Sequence, residues 1–460
     1  MSETDYSAFV ASKRKTLDIV GFDASEMHPS LFEHQTAIVK WACRLGRAAV
    51  FADTGLGKTR IELEWAAQVC RQTGGRVVIL TPLAVAEQTI REAADMDIDA
   101  GPIFSGSRII VTNYEKIHRI AVADYDGVVL DESSILKAFD GKMRTMLISA
   151  WANTRYRLAA TATPAPNDHS ELGNHAEFLG VCTRAEMLAE FFVHDGGSTQ
   201  NWRLKGHAVE DFWRWVSTWG VLLRKPADLG ISDDRYDLPP LHVREVSVGI
   251  DHRVAQEAGA LFIQSALTLN DQRRMRRLTI DARCQRIADY CAEHADDAIL
   301  VWVELNDESK ACASLIPGSV EVTGSDDPDD KTRALLGFGD RAFRVMVTKP
   351  KIAGFGMNWQ HCRRMIFAGP THSYEQFYQA VRRCWRFGQN EEVEVVILTT
   401  AADGAIVSNM KRKQDAAEDM AASMLDLVRD AQLESVMGAR PGTYNIPTKK
   451  LRVPAWLRSL

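Results

Sequence analysis

Ala48–Phe51 is a short apolar run, and it leads into Ala52-Asp53-Thr54-Gly55-Leu56-Gly57-Lys58-Thr59-Arg60. Glycines in such a loop let backbone N–H groups turn inward around an anion. A lysine at its end reaches the β- and γ-phosphates of a nucleotide, and the next hydroxyl holds Mg²⁺. Those roles fall on Lys58 and Thr59, with Thr54, Gly55, Leu56, Gly57 and Arg60 completing the cradle. A helix starting there would turn its N-terminal dipole toward the anion. Residue 52 is Ala where the usual pattern has Gly. About seventy residues later the run Gly127–Leu130 delivers two adjacent carboxylates, Asp131 and Glu132. In phosphoryl transfer to water, Asp131 would hold the metal beside Thr59, and Glu132 would orient or deprotonate the attacking water. A third set lies far along the chain in Gln379–Gln389, QAVRRCWRFGQ. Charge builds on the γ-phosphate oxygens during transfer, and an arginine from a facing lobe stabilises it. Arg383 and Arg386 are three apart, so one helix face would present both. Arg382 reads as a bystander.

Short β-rich runs must position these groups. They fall at 48–52, 76–80, 108–111, 127–130 and 155–160, and again at 298–303, 319–322, 343–347, 364–368 and 392–398. Strands alternating with helical stretches imply parallel βαβ units, and unbroken Val/Ile/Leu runs imply strands covered on both faces. The expectation is an α/β chain of two lobes divided near Pro239-Pro240. Residues 1–29 form an N-terminal extension, 30–238 lobe 1, 239–400 lobe 2 with leading helices at about 251–294, and 401–460 a helical extension with an acid-free basic tail. The Trp-rich segment 180–228 reads as a helical protrusion inserted in lobe 1.

The order of these motifs resembles a superfamily 2 helicase of the Snf2-like branch, over about residues 30 to 400. LFEHQTAIVKW resembles the adenine-side motif, which implies that Gln35 reads the base. LTPLAVAEQ and VTNYEKI resemble the lobe 1 motifs that touch a nucleic-acid backbone, through Thr81, Pro82, Thr112 and Asn113. TATP, Thr161–Pro164, resembles the motif coupling hydrolysis to that grip. LLRKPADLG and DLPPLH resemble the Snf2 lobe junction. In lobe 2, VTGSDDPDDKTRALLGFGD aligns Gly324, Arg333 and Phe338 with a Snf2 segment. VTKPKIAGFGMNWQ resembles motif V, which assigns Gly354 and Asn358 to nucleic acid and Gly356 to the nucleotide. QAVRRCWRFGQ, with its trailing Arg-x-Gly-Gln, resembles motif VI and is the most family-specific piece. The size suggests the compact helicases of phage and prophage genomes. The resemblance implies two RecA-like lobes with ATP and Mg²⁺ in the cleft. It also implies nucleic-acid-stimulated hydrolysis, with DNA the favoured track and RNA the alternative. A nucleotide-switched clamp with little turnover is the rival outside the helicases. Two departures stand out: the acidic motif continues Ser133-Ser134, and lobe 2 shows no basic pattern matched to the family.

Composition narrows the field further. The formal net charge is −6, so a nucleic-acid contact must use local basic patches. Residues 271–286 hold six arginines against two acids, either a basic helix beside the cleft or a solvated face. Trp202, Trp213, Trp215 and Trp219 suit core packing better than base stacking. The eight cysteines form no Cys-x-x-Cys pair, which argues against zinc and for a reducing cytosol. No run is long enough for a membrane span, and no secretory leader is expected. Protein partners are not legible.

Overall fold

The apolar runs form strands buried on both faces, as their unbroken hydrophobicity requires. The computed structural model describes residues 19–438 apart from 84, 138–140, 166–167, 195–201, 250–275, 354–356, 372 and 401–402. In chain order the strands are β1 Arg47–Ala52, β2 Val77–Thr81, β3 Ala100–Gly101, β4 Ile109–Asn113, β5 Gly127–Asp131, β6 Tyr156–Thr161, β7 Phe192–His194, β8 Trp202–Leu204 and β9 Gly220–Leu223. They continue as β10 Leu241–Ser247, β11 Ile299–Trp302, β12 Val320–Glu321, β13 Val345–Thr348, β14 Arg364–Phe367 and β15 Val393–Thr399. Two parallel sheets result, ordered β3-β4-β2-β5-β6-β1-β9 and β10-β15-β14-β11-β13-β12. The chain is therefore an α/β protein with two parallel-sheet lobes.

Alternation along each strand feeds two cores per lobe. In β1, Ala48, Val50 and Ala52 join one cluster, while Ala49 and Phe51 join the other. In β11, Leu300 and Trp302 pack on one face, and Ile299 and Val301 on the opposite one. The strand order sets the site. β6 lies between β1 and β5, so Thr161 ends between the glycine-rich loop and Asp131.

The expected helical protrusion at 180–228 is corrected. Helices Arg184–Phe191 and Val209–Val216 flank an antiparallel β7–β8 pair, and the segment ends as β9, the edge strand beside β1. Trp213, Trp215 and Trp219 are buried in the core over that sheet face. Their apolar area is too large to leave in water, and the sheet is the surface that buries it. Gly220 lets the Phe51 ring lie where a Cβ would meet it at 3.1 Å.

The basic stretch is corrected as well. Arg276 and Arg283 donate to the buried Glu308, at 3.0 and 2.6 Å, so they neutralise an internal carboxylate. Arg273 and Arg274, the early part of the helices expected at 251–294, and the tail from Ala439 lie outside the described residues.

The C-terminal helix Gly404–Met437 leaves lobe 2 and returns to lobe 1. There Trp41 Nε1 donates to Ser435 Oγ at 3.0 Å. The Gln432 amide pairs with both the N–H and the C=O of Leu222, each at 2.8 Å. Gln432 thus does for β9 what a further strand would do. Among the described residues no helix is long and apolar enough to cross a membrane.

Candidate nucleotide site between the lobes

The loop after β1 curls under two glycines of positive φ, Gly55 at 91° and Gly57 at 75°. At Gly57 a Cβ would lie 2.1 Å from Gln35 Nε2, and at Gly55 it would lie 3.0 Å from the Phe387 backbone N of lobe 2. Only glycine allows both approaches. Gly57 then caps helix Lys58–Thr73, whose N-terminus faces the loop. Lys58 Nζ donates to Ala52 O at 2.9 Å, so the ammonium spans the loop's concavity. Glu132, Asp53, Asp131 and Glu62 are the charges acting on it.

β5 delivers Asp131 and Glu132 beside it, both buried. Tyr114 Oη donates to the Asp131 carbonyl at 2.6 Å, fixing the end of the strand. Glu132 takes a positive φ of 52°, uncommon for a residue with a side chain. Thr161 Oγ1 donates to Glu132 Oε2 at 3.3 Å. Ser133 Oγ lies 3.1 Å from His175 Nε2, and burial holds that imidazole down to about 4. Coupling from the acidic motif to β6 therefore runs directly from Glu132, while Ser133 ties down the next position.

The residues fit a hard cation. Burial, reinforced by Glu132, pushes the Asp131 carboxyl well above the usual carboxylate range, and a bound cation would relieve that repulsion. Both oxygens of the buried Glu62 have no hydrogen-bond partner among the described residues. Thr59 and Asp131 are the residues that would hold Mg²⁺, and the remaining positions of such a site belong to phosphate oxygens and water.

Lobe 2 supplies the arginines, from the turn after helix Tyr374–Val381 and not from a helix face. Arg383 is 2% exposed; its Nε donates to Gln379 O at 2.9 Å, and its Nη2 has no partner among the described residues. Burial disfavours its charge, while Glu132 and Asp131 of lobe 1 oppose that effect. Arg386 Nη1 donates to Met357 O at 3.3 Å, which knits it to motif V. The bystander reading of Arg382 is corrected. Its Nη2 donates to Asp53 Oδ2 at 2.7 Å and its Nε to Thr54 Oγ1 at 2.6 Å, across the cleft. Nothing in the spacing signals this, because Arg382 and Asp53 meet only when the lobes do.

Other expected site residues turn elsewhere. Gln35 accepts from Phe32 N at 2.9 Å and donates to Leu56 O at 3.2 Å, so its amide braces the loop. Arg60 bonds Glu92 at 3.0 Å and Ser30 O at 3.3 Å. Thr81, Thr112 and Asn113 are buried. The Thr81 hydroxyl donates to Pro82 O, and Asn113 Oδ1 caps the following turn. Asn358 Oδ1 is buried without a partner among the described residues, next to the Met357 carbonyl that Arg383 and Arg386 share. Gly354 and Gly356 lie outside the described residues.

A second opening between the lobes, about 480 Å³, is lined by Pro82, Leu83, Glu132, Lys137 and Met143 of lobe 1 and by Lys331, Lys351 and Ile352 of lobe 2. Its lysines stand on facing walls. The two from lobe 2, Lys331 and Lys351, belong to separate helices, Pro328–Gly339 and Pro350–Ala353, so no sequence pattern joins them.

Comparison with known proteins agrees with lobe 2. Residues 282–388 match the helicase conserved C-terminal domain. This segment, inside lobe 2, is similar to that domain. Among solved structures, the chain is similar to the Sulfolobus solfataricus SWI2/SNF2 ATPase core in complex with dsDNA. The identity is 17%, the coverage 90% of this chain and 97% of that one, and the TM-score 0.42. No curated protein matches the chain.

Proposed function

We propose that the protein is a nucleic-acid-stimulated ATPase, a DNA helicase or translocase of the Snf2-like superfamily 2 type. The observation that carries this reading is Arg383: a buried lobe 2 guanidinium whose Nη2 has no partner among the described residues, within electrostatic reach of Asp131 and Glu132 on lobe 1. A site built for phosphoryl transfer needs such a donor where charge develops. The loop 52–60 would hold the phosphates, with Lys58 on the β- and γ-oxygens. Bound Mg²⁺ would neutralise the phosphate charge from Thr59 and Asp131. Glu132, held by Thr161, would orient the water and take its proton. Arg383 would meet the γ-phosphate, with Arg386 behind it.

Nucleotide in the cleft would draw the lobes together, and hydrolysis would release them. The lysine-walled opening between the lobes suits a phosphate backbone. DNA is the favoured track because the lobe 2 motifs resemble Snf2 motors. The all-thiol cysteines support a reducing cytosol as the place of action. The test is ATP hydrolysis across single-stranded DNA, duplex, forked DNA and RNA, with strand displacement read in parallel. Stimulation by DNA is expected. Stimulation by single-stranded RNA alone would make the protein an RNA helicase, and one turnover without stimulation would make it a clamp. Lys58→Ala should abolish hydrolysis, and full activity in that variant would sink the reading.

A further inference from the structure

We infer that Arg382 is a positioning residue that makes nucleotide binding by the phosphate loop depend on the approach of lobe 2; this rests on the ATPase reading above. Asp53 opens the loop that must hold the nucleotide's negative charge. A free carboxylate beside phosphate oxygens repels them, the more so where water is excluded. In the structure both Asp53 oxygens are engaged from lobe 2. Tyr378 Oη donates to Oδ1 at 2.7 Å, and Arg382 Nη2 donates to Oδ2 at 2.7 Å. Arg382 also reaches Thr54, with Nε to Oγ1 at 2.6 Å and Nη2 to the carbonyl at 3.2 Å.

The ion pair is shielded, its side chains 7% and 15% exposed, so salt screens it little. The guanidinium is held in place by its own lobe. Its central carbon lies 5.1 Å from the Trp385 ring centroid and 5.7 Å from that of Tyr378. Trp385 in turn donates to Pro239 O at 2.7 Å, at the lobe junction. Adjacent arginines therefore divide the work. Arg383 faces the carboxylates, and Arg382 neutralises the loop. When the lobes part, Asp53 loses both lobe 2 donors together and keeps only those of Thr54, whose N–H lies 2.6 Å from Oδ1, and its charge then opposes the nucleotide. When they meet, that opposition is removed.

The test uses the full chain, with equilibrium titration of a fluorescent ADP analogue beside steady-state ATP hydrolysis. Arg382→Ala is expected to weaken binding and raise KM by about tenfold, with a smaller loss in kcat. Asp53→Asn in that background removes the repulsion and should restore binding to within about twofold of wild type. Asp53→Asn alone should not weaken binding, and this variant still decides the matter if Arg382→Ala fails to fold, as thermal melting will show. Additive losses in the double variant, an unchanged KM in Arg382→Ala, or weaker binding in Asp53→Asn would each overturn the inference. Wild-type protein that binds no nucleotide would overturn the ATPase reading itself. Wild-type hydrolysis with an indifferent Arg382→Ala would overturn the positioning role of Arg382 alone.

Discussion

The Thr161 hydroxyl at the end of β6 donates to the Glu132 carboxylate at the end of β5, at 3.3 Å. Glu132 stands at a φ of 52°, a conformation that persists only when its surroundings hold it. The hydrogen bond is one of those restraints, and it aims the carboxylate back toward the phosphate loop. Thr161→Val keeps the shape and removes the donor. It should lower kcat about tenfold with KM nearly unchanged, because a misaligned base costs rate before it costs binding. Glu132→Gln should lower kcat by about 10² or more. Steady-state kinetics on both variants checks the order.

Arg383 predicts a different signature. Its Nη2, which has no partner among the described residues, is the donor that a γ-phosphate would satisfy. Arg383→Ala should lower kcat by about 10³ and leave nucleotide binding within a few fold. Arg383→Lys should rescue little, since a single ammonium cannot keep the bond to Gln379 O and reach the phosphate as well. Equal loss of binding and turnover would assign the residue to packing.

Much of this was legible along the chain, and the reason is local. The glycine-rich loop and the acidic pair each sit at the end of one strand, so spacing alone brings out their chemistry. What escaped depends on distant partners. β9 is four residues inside a Trp-rich stretch, and only pairing with β1 makes it a strand. Arg276 and Arg283 look like a basic face until Glu308 comes up beside them. Arg382 matters only through a residue 329 positions away.

The facing lysines of the second opening supply a test of the track. Lys351 is exposed on its lobe 2 wall. If it meets a phosphate, Lys351→Ala should weaken DNA binding uniformly across sequences and reduce the slope of log K against log salt by about one. Basal hydrolysis without DNA should change less than DNA binding does, because Lys351 is assigned to the track and not to phosphoryl transfer. Fluorescence anisotropy over a salt series measures the slope.

Glu308 predicts how lobe 2 fails in acid. Burial pushes its carboxyl up, but Arg276, Arg283 and the backbone N–H groups of Leu305 and Glu304 outweigh that and hold it at about 2. The folded value lies below the ordinary 4.5, so the carboxylate contributes stability that is present above about 4.5 and lost as the pH falls toward 2. Glu308→Gln should destabilise lobe 2 by about 3 kcal/mol near neutrality, because the buried Arg283 loses its counter-charge and Arg276 keeps only that of Glu304. The same variant should flatten the pH dependence of unfolding between 4.5 and 2, measured by denaturant titration at several pH values.

Gln432 links the C-terminal helix to the phosphate loop through one strand. Its amide satisfies the Leu222 N–H and C=O on the open side of β9. Next along β9, Leu223 O accepts from Asp53 N at 2.8 Å, at the point where β1 becomes the loop. Gln432→Ala leaves two buried backbone groups unpaired, at a cost on the order of 2 to 4 kcal/mol. The loss should appear first as faster amide exchange at Leu222 and Leu223, and then as a KM for ATP raised by about two- to fivefold. A purely structural helix would instead lower global stability without moving KM. Exchange and kinetics measured on the same variant separate the two, since only coupling through β9 moves both together.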